Sequence, residues 1–182
     1  MNHATTGQDK HRSYNGDYME TGKTGEKVVI DWLQSRPNIL GVTDFRDIRR
    51  IHEADVDVGV RLYTGQVCLA EIKTDTYLGC SGNILNEVLR INHYAPHEHA
   101  GYLGWTLRSP ARWLLYYAPN KVPKAIYKAE FSQVRLVLQR FTREMRKKLK
   151  FQITATDAGK TTYNILIPES EYEGVFSIIE LD

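Results

Sequence analysis

Apolar and polar positions alternate most cleanly over residues 54–62. Val56, Val58, Val60 and Leu62 make one face; Asp55, Asp57, Gly59 and Arg61 make the other. A period of two is the mark of a half-buried strand. Thr64-Gly65 supplies a turn, and 66–73 reads as a second strand, so the two segments predict a β-hairpin. Val67 and Leu69 share a face with Glu71 and Lys73, because strand side chains repeat every two residues. That face opens apolar and closes charged, as expected of a strand leaving the core for a cleft.

Helical spacing appears over 20–35, where Val28, Val29, Trp32 and Leu33 recur on one side before Arg36-Pro37-Asn38 stops the run. Residues 44–50 are mixed and predict at most a short strand. Residues 79–82 read as a loop and 83–92 as a helix. Strands are predicted over 105–108 and 113–117, punctuated by Pro110 and Pro119. The segment 131–149 is the longest predicted helix. Residues 151–156 and 162–167 predict a hairpin about Asp157-Ala158-Gly159, and 175–181 a closing strand. The expected fold class is α/β (α+β), a mixed β-sheet flanked by helices, with an added basic helix and a C-terminal β-hairpin. Residues 1–18 are polar and aperiodic and predict a flexible N-terminal arm; 19–182 predicts a single domain, with a core over about 20–117 and an accessory part over about 125–182.

Composition narrows the classes. The chain has 182 residues, 42% hydrophobic and 25% charged, which excludes a wholly disordered or collagen-like chain. Net charge is only +2, so any basic surface must come from local clustering. Cys68 and Cys80 cannot build a disulfide scaffold. There is no long uncharged apolar run and no apolar signal core at the start, so the expectation is a cytoplasmic protein with no membrane partner.

Asp57 and Glu71 lie fourteen positions apart, on strands predicted to pair. Two converging carboxylates with a free backbone carbonyl suit a hard divalent cation such as Mg²⁺. A cation there polarises a phosphodiester and acidifies a bound water. Lys73 lies two residues beyond Glu71. Its ammonium either holds the attacking water and steadies the charge building on phosphorus, or, with a pKa lowered by burial, accepts a proton.

An Asp on one strand and Glu-x-Lys on the next, behind a helix bearing Glu, resembles the PD-(D/E)xK nuclease superfamily. Restriction enzymes, Holliday-junction resolvases, some homing endonucleases and phage recombination exonucleases share that core. The resemblance covers about 20–117 and implies a restriction-endonuclease-like fold. It implies a Mg²⁺-dependent endonuclease (Mn²⁺ a possible substitute) hydrolysing DNA phosphodiester bonds. By the same resemblance the first-helix acid falls on Glu26, in Gly25-Glu26-Lys27, the central acid on Asp57, and the Glu-x-Lys pair on Glu71 and Lys73. The Ile72 carbonyl falls on the expected third metal contact. Val56 stands where the family name has Pro. Asp55 rivals Asp57 as the central acid; Asp57 is preferred because a fuller apolar strand follows it. Downstream, Ser81-Gly82-Asn83 followed by Glu87 resembles an arrangement in phage-type nuclease-like proteins, and Glu87 is the expected supporting acid, ahead of Asp75. A bacterial or phage setting is implied. Two-strand cleavage fits a homodimer, whereas nicking needs only a monomer.

One local charge asymmetry stands out. Arg135, Arg140, Arg143, Arg146, Lys147, Lys148 and Lys150 face Glu144 alone in the predicted helix. Phosphates would supply the counter-charge, so double-stranded or branched DNA is the expected partner. The rival expectation is a non-catalytic DNA-binding module with a degenerate site. His93, His97 and His99 invite zinc, but no cysteine stands near them in sequence. Tyr102, Trp105, Trp113, Tyr116 and Tyr117 are expected to fill the core rather than stack on bases.

Overall fold

The computed structural model describes residues 10–93, 101–145, 148, 151–156 and 159–181, without the side chains of 10–19, 52 and 154–156. It contains α1 (Lys10–Gln34), β1 (Ile39–Asp44), α2 (Arg49–His52), β2 (Val58–Leu62), β3 (Val67–Thr74), α3 (Leu78–Ser81), β4 (Asn83–Asn92) and β5 (Gly101–Leu103). Then come α4 (Trp105–Arg108), β6 (Trp113–Ala118), β7 (Lys124–Glu130), α5 (Phe131–Glu144), β8 (Phe151–Thr156), β9 (Lys160–Pro168) and β10 (Ser177–Leu181). A six-stranded sheet has the order β1-β2-β3-β6-β7-β10, and a four-stranded sheet the order β5-β4-β9-β8. The class is mixed α+β.

β2 and β3 form the expected antiparallel hairpin, with Val58 opposite Ala70 and Val60 opposite Cys68. β3 and β6 run parallel, with Glu71 opposite Leu114. Parallel neighbours require a crossover, and here α3, β4, β5 and α4 supply it. β3 is thereby a central strand, antiparallel on one side and parallel on the other.

The six-stranded sheet separates two apolar clusters. On one face Val29, Ile30 and Leu33 of α1 pack on Val58, Val60, Cys68, Ala70, Ile72 and Leu115. On the other, Leu114, Tyr116 and Tyr127 meet Phe131, Val134 and Leu138 of α5, Trp105 of α4, and Ile84, Ile165 and Ile167 of the smaller sheet. Gly25 sets the seat of α1: a Cβ there would lie 2.1 Å from Thr74 Oγ1, so helix and strand approach this closely only with glycine.

Several expectations need correction. Helix α1 begins at Lys10, so 10–18 is helical rather than a loose arm. No proline interrupts the run, and a helix propagates readily once its packed part is formed. Residues 1–9 lie outside the described residues. Residues 83–92 form strand β4, not a helix; β4 pairs with both β5 and β9. Residues 105–108 form a short helix, not a strand, and 78–81 a helical turn rather than a loop. Strands β1, β5 and β7 were not expected. Among the described residues α1 is the longest helix, and α5 ends at Glu144. The hairpin β8–β9 forms as expected but joins the smaller sheet, while β7 and β10 complete the larger one. Strands from 20–117 and from 125–182 thus share both sheets. No described helix is long and apolar enough to cross a membrane.

Candidate functional site

Ala70 and Ile72 point into the cluster under α1, so Glu71 and Lys73 project to the opposite face of the sheet. Val67 and Leu69 on that face are exposed, whereas Glu71 is 1% exposed. The face therefore runs inward from its apolar end to its charged end, the reverse of the expected emergence from the core. The reason is position: the hairpin turn lies at the rim, whereas Glu71 sits further along the central strand, bonded to Lys73, which meets Trp105 of α4.

Asp57 stands immediately before β2 and is 2% exposed. Its backbone N–H donates to the Ala70 carbonyl at 3.0 Å, and its carboxylate Oδ2 accepts the Ile72 N–H at 2.7 Å. An extended residue presents its N–H and C=O to the same strand edge, so the Ile72 carbonyl faces the Asp57 side as well. The Lys73 ammonium donates to Glu71 Oε1 and lies 5.4 Å from the Trp105 ring centroid. Glu71 Oε2 is buried and has no hydrogen-bond partner among the described residues. Asp57, Glu71 and Lys73 come together as expected.

Burial pushes the Glu71 carboxyl up to about 8; Lys73 draws it down, and the negative charges of Asp57 and Asp55 add to the rise. For Lys73 burial acts to lower the pKa, but Glu71, Asp57 and Asp55 outweigh it and hold the ammonium above its ordinary value. Of the two roles left open for Lys73, a raised pKa favours the cationic hydrogen-bond donor.

Asp55 is the neighbour that sequence reasoning ranked second. Its backbone is left-handed at φ 57°, a conformation that aspartate tolerates better than most residues. Ser109 Oγ donates to the Asp55 carbonyl at 2.5 Å, and Arg108 Nε donates to its Oδ2 at 2.7 Å. Arg108 is the counter-charge of Asp55, as Lys73 is the hydrogen-bond partner of Glu71. No sequence signal pointed to Arg108, fifty-three positions away.

Glu26 is not gathered with this group. Its Oε2 accepts Arg46 Nη1 at 2.9 Å, and Arg46 also binds Asp44. The helix carries Glu26 where expected, but the loop after β1 brings a guanidinium to it. Glu87, on β4 rather than a helix, accepts Arg90 Nη2 at 2.7 Å and the Trp105 N–H at 3.4 Å. It therefore anchors α4, which holds Trp105 over Lys73. Asp75 accepts the Tyr77 and Leu78 N–H groups at 2.6 and 3.1 Å and the Tyr116 hydroxyl, a turn-holding role. Among the described residues no three His, Cys, Asp or Glu side chains assemble.

Mg²⁺ fits the residues present. The donor set is all oxygen: the Asp57 carboxylate, the Glu71 Oε2 left without a hydrogen-bond partner among the described residues, and the Ile72 carbonyl. A cleft of about 180 Å³ opens onto Lys73, lined also by Thr21, Asp75, Leu85, Trp105 and Tyr116.

The basic helix divides. Arg135 Nε donates to the Thr106 carbonyl at 2.9 Å and Nη2 to the Ser109 carbonyl, and burial lowers its pKa. Arg140 binds the Glu171 carbonyl at 2.9 Å and its carboxylate at 3.1 Å. Arg143 and Lys148 are exposed. Arg146, Lys147 and Lys150 lie outside the described residues. His93 Nε2 lies 2.7 Å from Thr161 Oγ1, and His97 and His99 also lie outside them. Trp105, Trp113, Tyr116 and Tyr117 are buried, as expected of core; Tyr102 is half-buried with Arg90 and Arg108 beside its ring. Cys68 and Cys80 are free thiols.

Comparison with protein-family models, curated proteins and solved structures returns no match for this chain.

Proposed function

We propose that the chain is a Mg²⁺-dependent deoxyribonuclease with a restriction-endonuclease-like core. The observation that carries this reading is the group of buried Asp57 and Glu71 with half-buried Lys73, one Glu71 oxygen being left without a hydrogen-bond partner among the described residues. Further support comes from an antiparallel β1-β2-β3 run joined to a parallel β6, with a long helix on one face.

Asp57, Glu71 and the Ile72 carbonyl would hold the metal, with Glu26 and Glu87 outside that set. When bound, Mg²⁺ polarises the phosphodiester and acidifies a coordinated water. Lys73, fixed by Glu71 and Trp105, donates to the attacking water and opposes the negative charge that grows on the phosphoryl oxygens during in-line displacement. Trp105 covers one side of this ammonium and leaves its other side open to the cleft. The exposed Arg143 and Lys148 would meet DNA backbone, while Arg135 and Arg140 serve the fold. The chain would be cytoplasmic in a bacterium or its phage, acting on double-stranded or branched DNA, as a homodimer if it cuts both strands.

A second reading is a non-catalytic DNA-binding module. The pairing of Glu26 with Arg46 favours it, since a helix acid tied to a guanidinium supplies no metal ligand. Plasmid relaxation separates the two. Nicking with Mg²⁺ or Mn²⁺, abolished by EDTA and in Lys73→Ala, supports the nuclease. DNA retention without cutting in any divalent metal supports the module.

A further inference from the structure

A helix about 10 Å across cannot cover six strands spaced about 4.8 Å apart. On the face packed by α1, the β7–β10 side therefore lacks a helix. A cleft of about 590 Å³ opens there, between the end of α1 and β10. That is within the range of about 300–1,000 Å³ for small-molecule sites. Trp113 lines it and belongs to the cluster under α1, so the cleft lies on the opposite face of the sheet from Glu71 and Lys73.

Its chemistry is cationic and aromatic. Lys128 Nζ sits 3.8 Å from the Trp113 ring centroid, and the Arg36 guanidinium 5.3 Å from that of Trp32. Indole faces hold cations in place but leave their charge uncancelled. No carboxylate lies within ion-pair distance of Lys128 or Arg36 among the described residues. Arg112, the third cation, pairs with Glu130 at 2.8 Å. Three cations thus face one carboxylate. Burial draws the Lys128 pKa below its ordinary value, and the pull of Glu130 in the other direction does not outweigh it. The Trp32 indole N–H is buried and has no acceptor among the described residues.

We propose that this cleft binds a nucleoside phosphate, the phosphate between Arg36 and Lys128 and the base along its apolar wall. The two unpaired cations select the anion. The cleft is far larger than a phosphate needs, and its indoles and aliphatic side chains suit a planar, mostly apolar ring. A free nucleotide and a nucleotide at a strand end share this chemistry.

Tryptophan fluorescence of the full chain in EDTA tests it, with dAMP, deoxyadenosine, inorganic phosphate and a 5′-phosphorylated oligodeoxyadenylate as probes. EDTA removes divalent ions from Asp57 and Glu71, so the result does not depend on nuclease activity. The expected result is saturable, salt-sensitive binding of dAMP. It should weaken at least tenfold in Lys128→Gln and in Arg36→Gln, with thermal midpoints within a few degrees of the native chain. Deoxyadenosine and phosphate should each bind at least tenfold more weakly than dAMP. Tighter binding of the oligonucleotide identifies a strand end as the source; tighter dAMP identifies the free nucleotide. Phosphate or deoxyadenosine binding as tightly as dAMP overturns the proposal, and so does dAMP binding that neither variant changes, or none at all.

Discussion

The Asp57 carboxylate accepts the main-chain N–H of Ile72 at 2.7 Å, where β2 has ended and β3 continues. One side chain thus replaces the missing ladder partner and also stands beside Glu71. Structural and chemical roles meet in Asp57, and substitution separates them. Asp57→Asn keeps an acceptor for Ile72, so its thermal midpoint should stay near that of the native chain while Mg²⁺-dependent cleavage is lost. Asp57→Ala leaves a buried N–H without a partner, at a cost of about 1–3 kcal/mol. Cleavage assays beside calorimetry check both. An Asp57→Asn chain that still cuts would remove Asp57 from the metal set.

Glu71 sets a pH dependence. Its carboxyl titrates near 8 in the folded chain, above the ordinary 4.5. The folded state therefore binds this proton more tightly than the unfolded state. The contribution is fully present below about 4.5 and is lost as pH rises through about 8, with a slope of at most about 1.4 kcal/mol per pH unit. Metal-free Glu71→Gln should lack that slope and should be more stable than the native chain above pH 8, by about 0.5–2 kcal/mol. Melting both proteins in EDTA across this range gives the difference. Parallel curves would show that Glu71 is ionised throughout.

Lys73→Ala removes the donor to the attacking water and the counter-charge of Glu71 together. The expected loss of cleavage is at least about a hundredfold. Lys73→Arg retains charge but puts a planar fork where a compact ammonium fits between Glu71 and Trp105. It should therefore restore less than a tenth of the native rate. Equal rates in the two variants and the native chain would leave Lys73 a structural ion pair.

Arg135 and Arg143 lie on one helix and should behave differently. Arg135→Gln breaks bonds to the Thr106 and Ser109 carbonyls. It should lower the thermal midpoint and leave the salt dependence of DNA binding unchanged. Arg143→Gln, at an exposed position, should leave the midpoint unchanged and reduce the salt slope by about 1 if it meets a phosphate. Fluorescence anisotropy at several ionic strengths reads the slope.

The β2–β3 hairpin was legible because its alternation is uninterrupted and Thr64-Gly65 marks the turn. With it came Asp57, Glu71 and Lys73, since a paired register leaves little freedom in where they meet. Strand β4 was not legible. Its pairing with β9 shifts between Glu87 and Leu89, and this bulge breaks the period of two. Ile84, Val88 and Ile91 then stand four and three apart, which mimics a helix. Glu26 was placed on the right element, but its partner Arg46 comes from a loop with no period to read. Arg108 on Asp55 was no more legible: it sits on a four-residue helix, too short to leave a period in the chain.

Gly25 offers a test of how α1 is seated beside the site. A Cβ on residue 25 would lie 2.1 Å from Thr74 Oγ1, 2.7 Å from its Cγ2 and 2.9 Å from its Cβ. Thr74 follows Lys73 directly and is held in the ladder with Tyr117 of β6, so the helix must move instead. Gly25→Ala should therefore destabilise the fold by about 1–3 kcal/mol, as overpacking does. The Thr74 hydroxyl is buried and has no hydrogen-bond partner among the described residues, so Thr74→Ala alone should cost little. In the double variant two of the three clashing atoms are gone, and part of the loss should return as a coupling of at least about 0.5 kcal/mol. Denaturant unfolding of the four proteins measures that coupling. Strictly additive losses would mean that residue 25 and Thr74 do not touch, and that α1 sits farther from the β3 end than this structure has it.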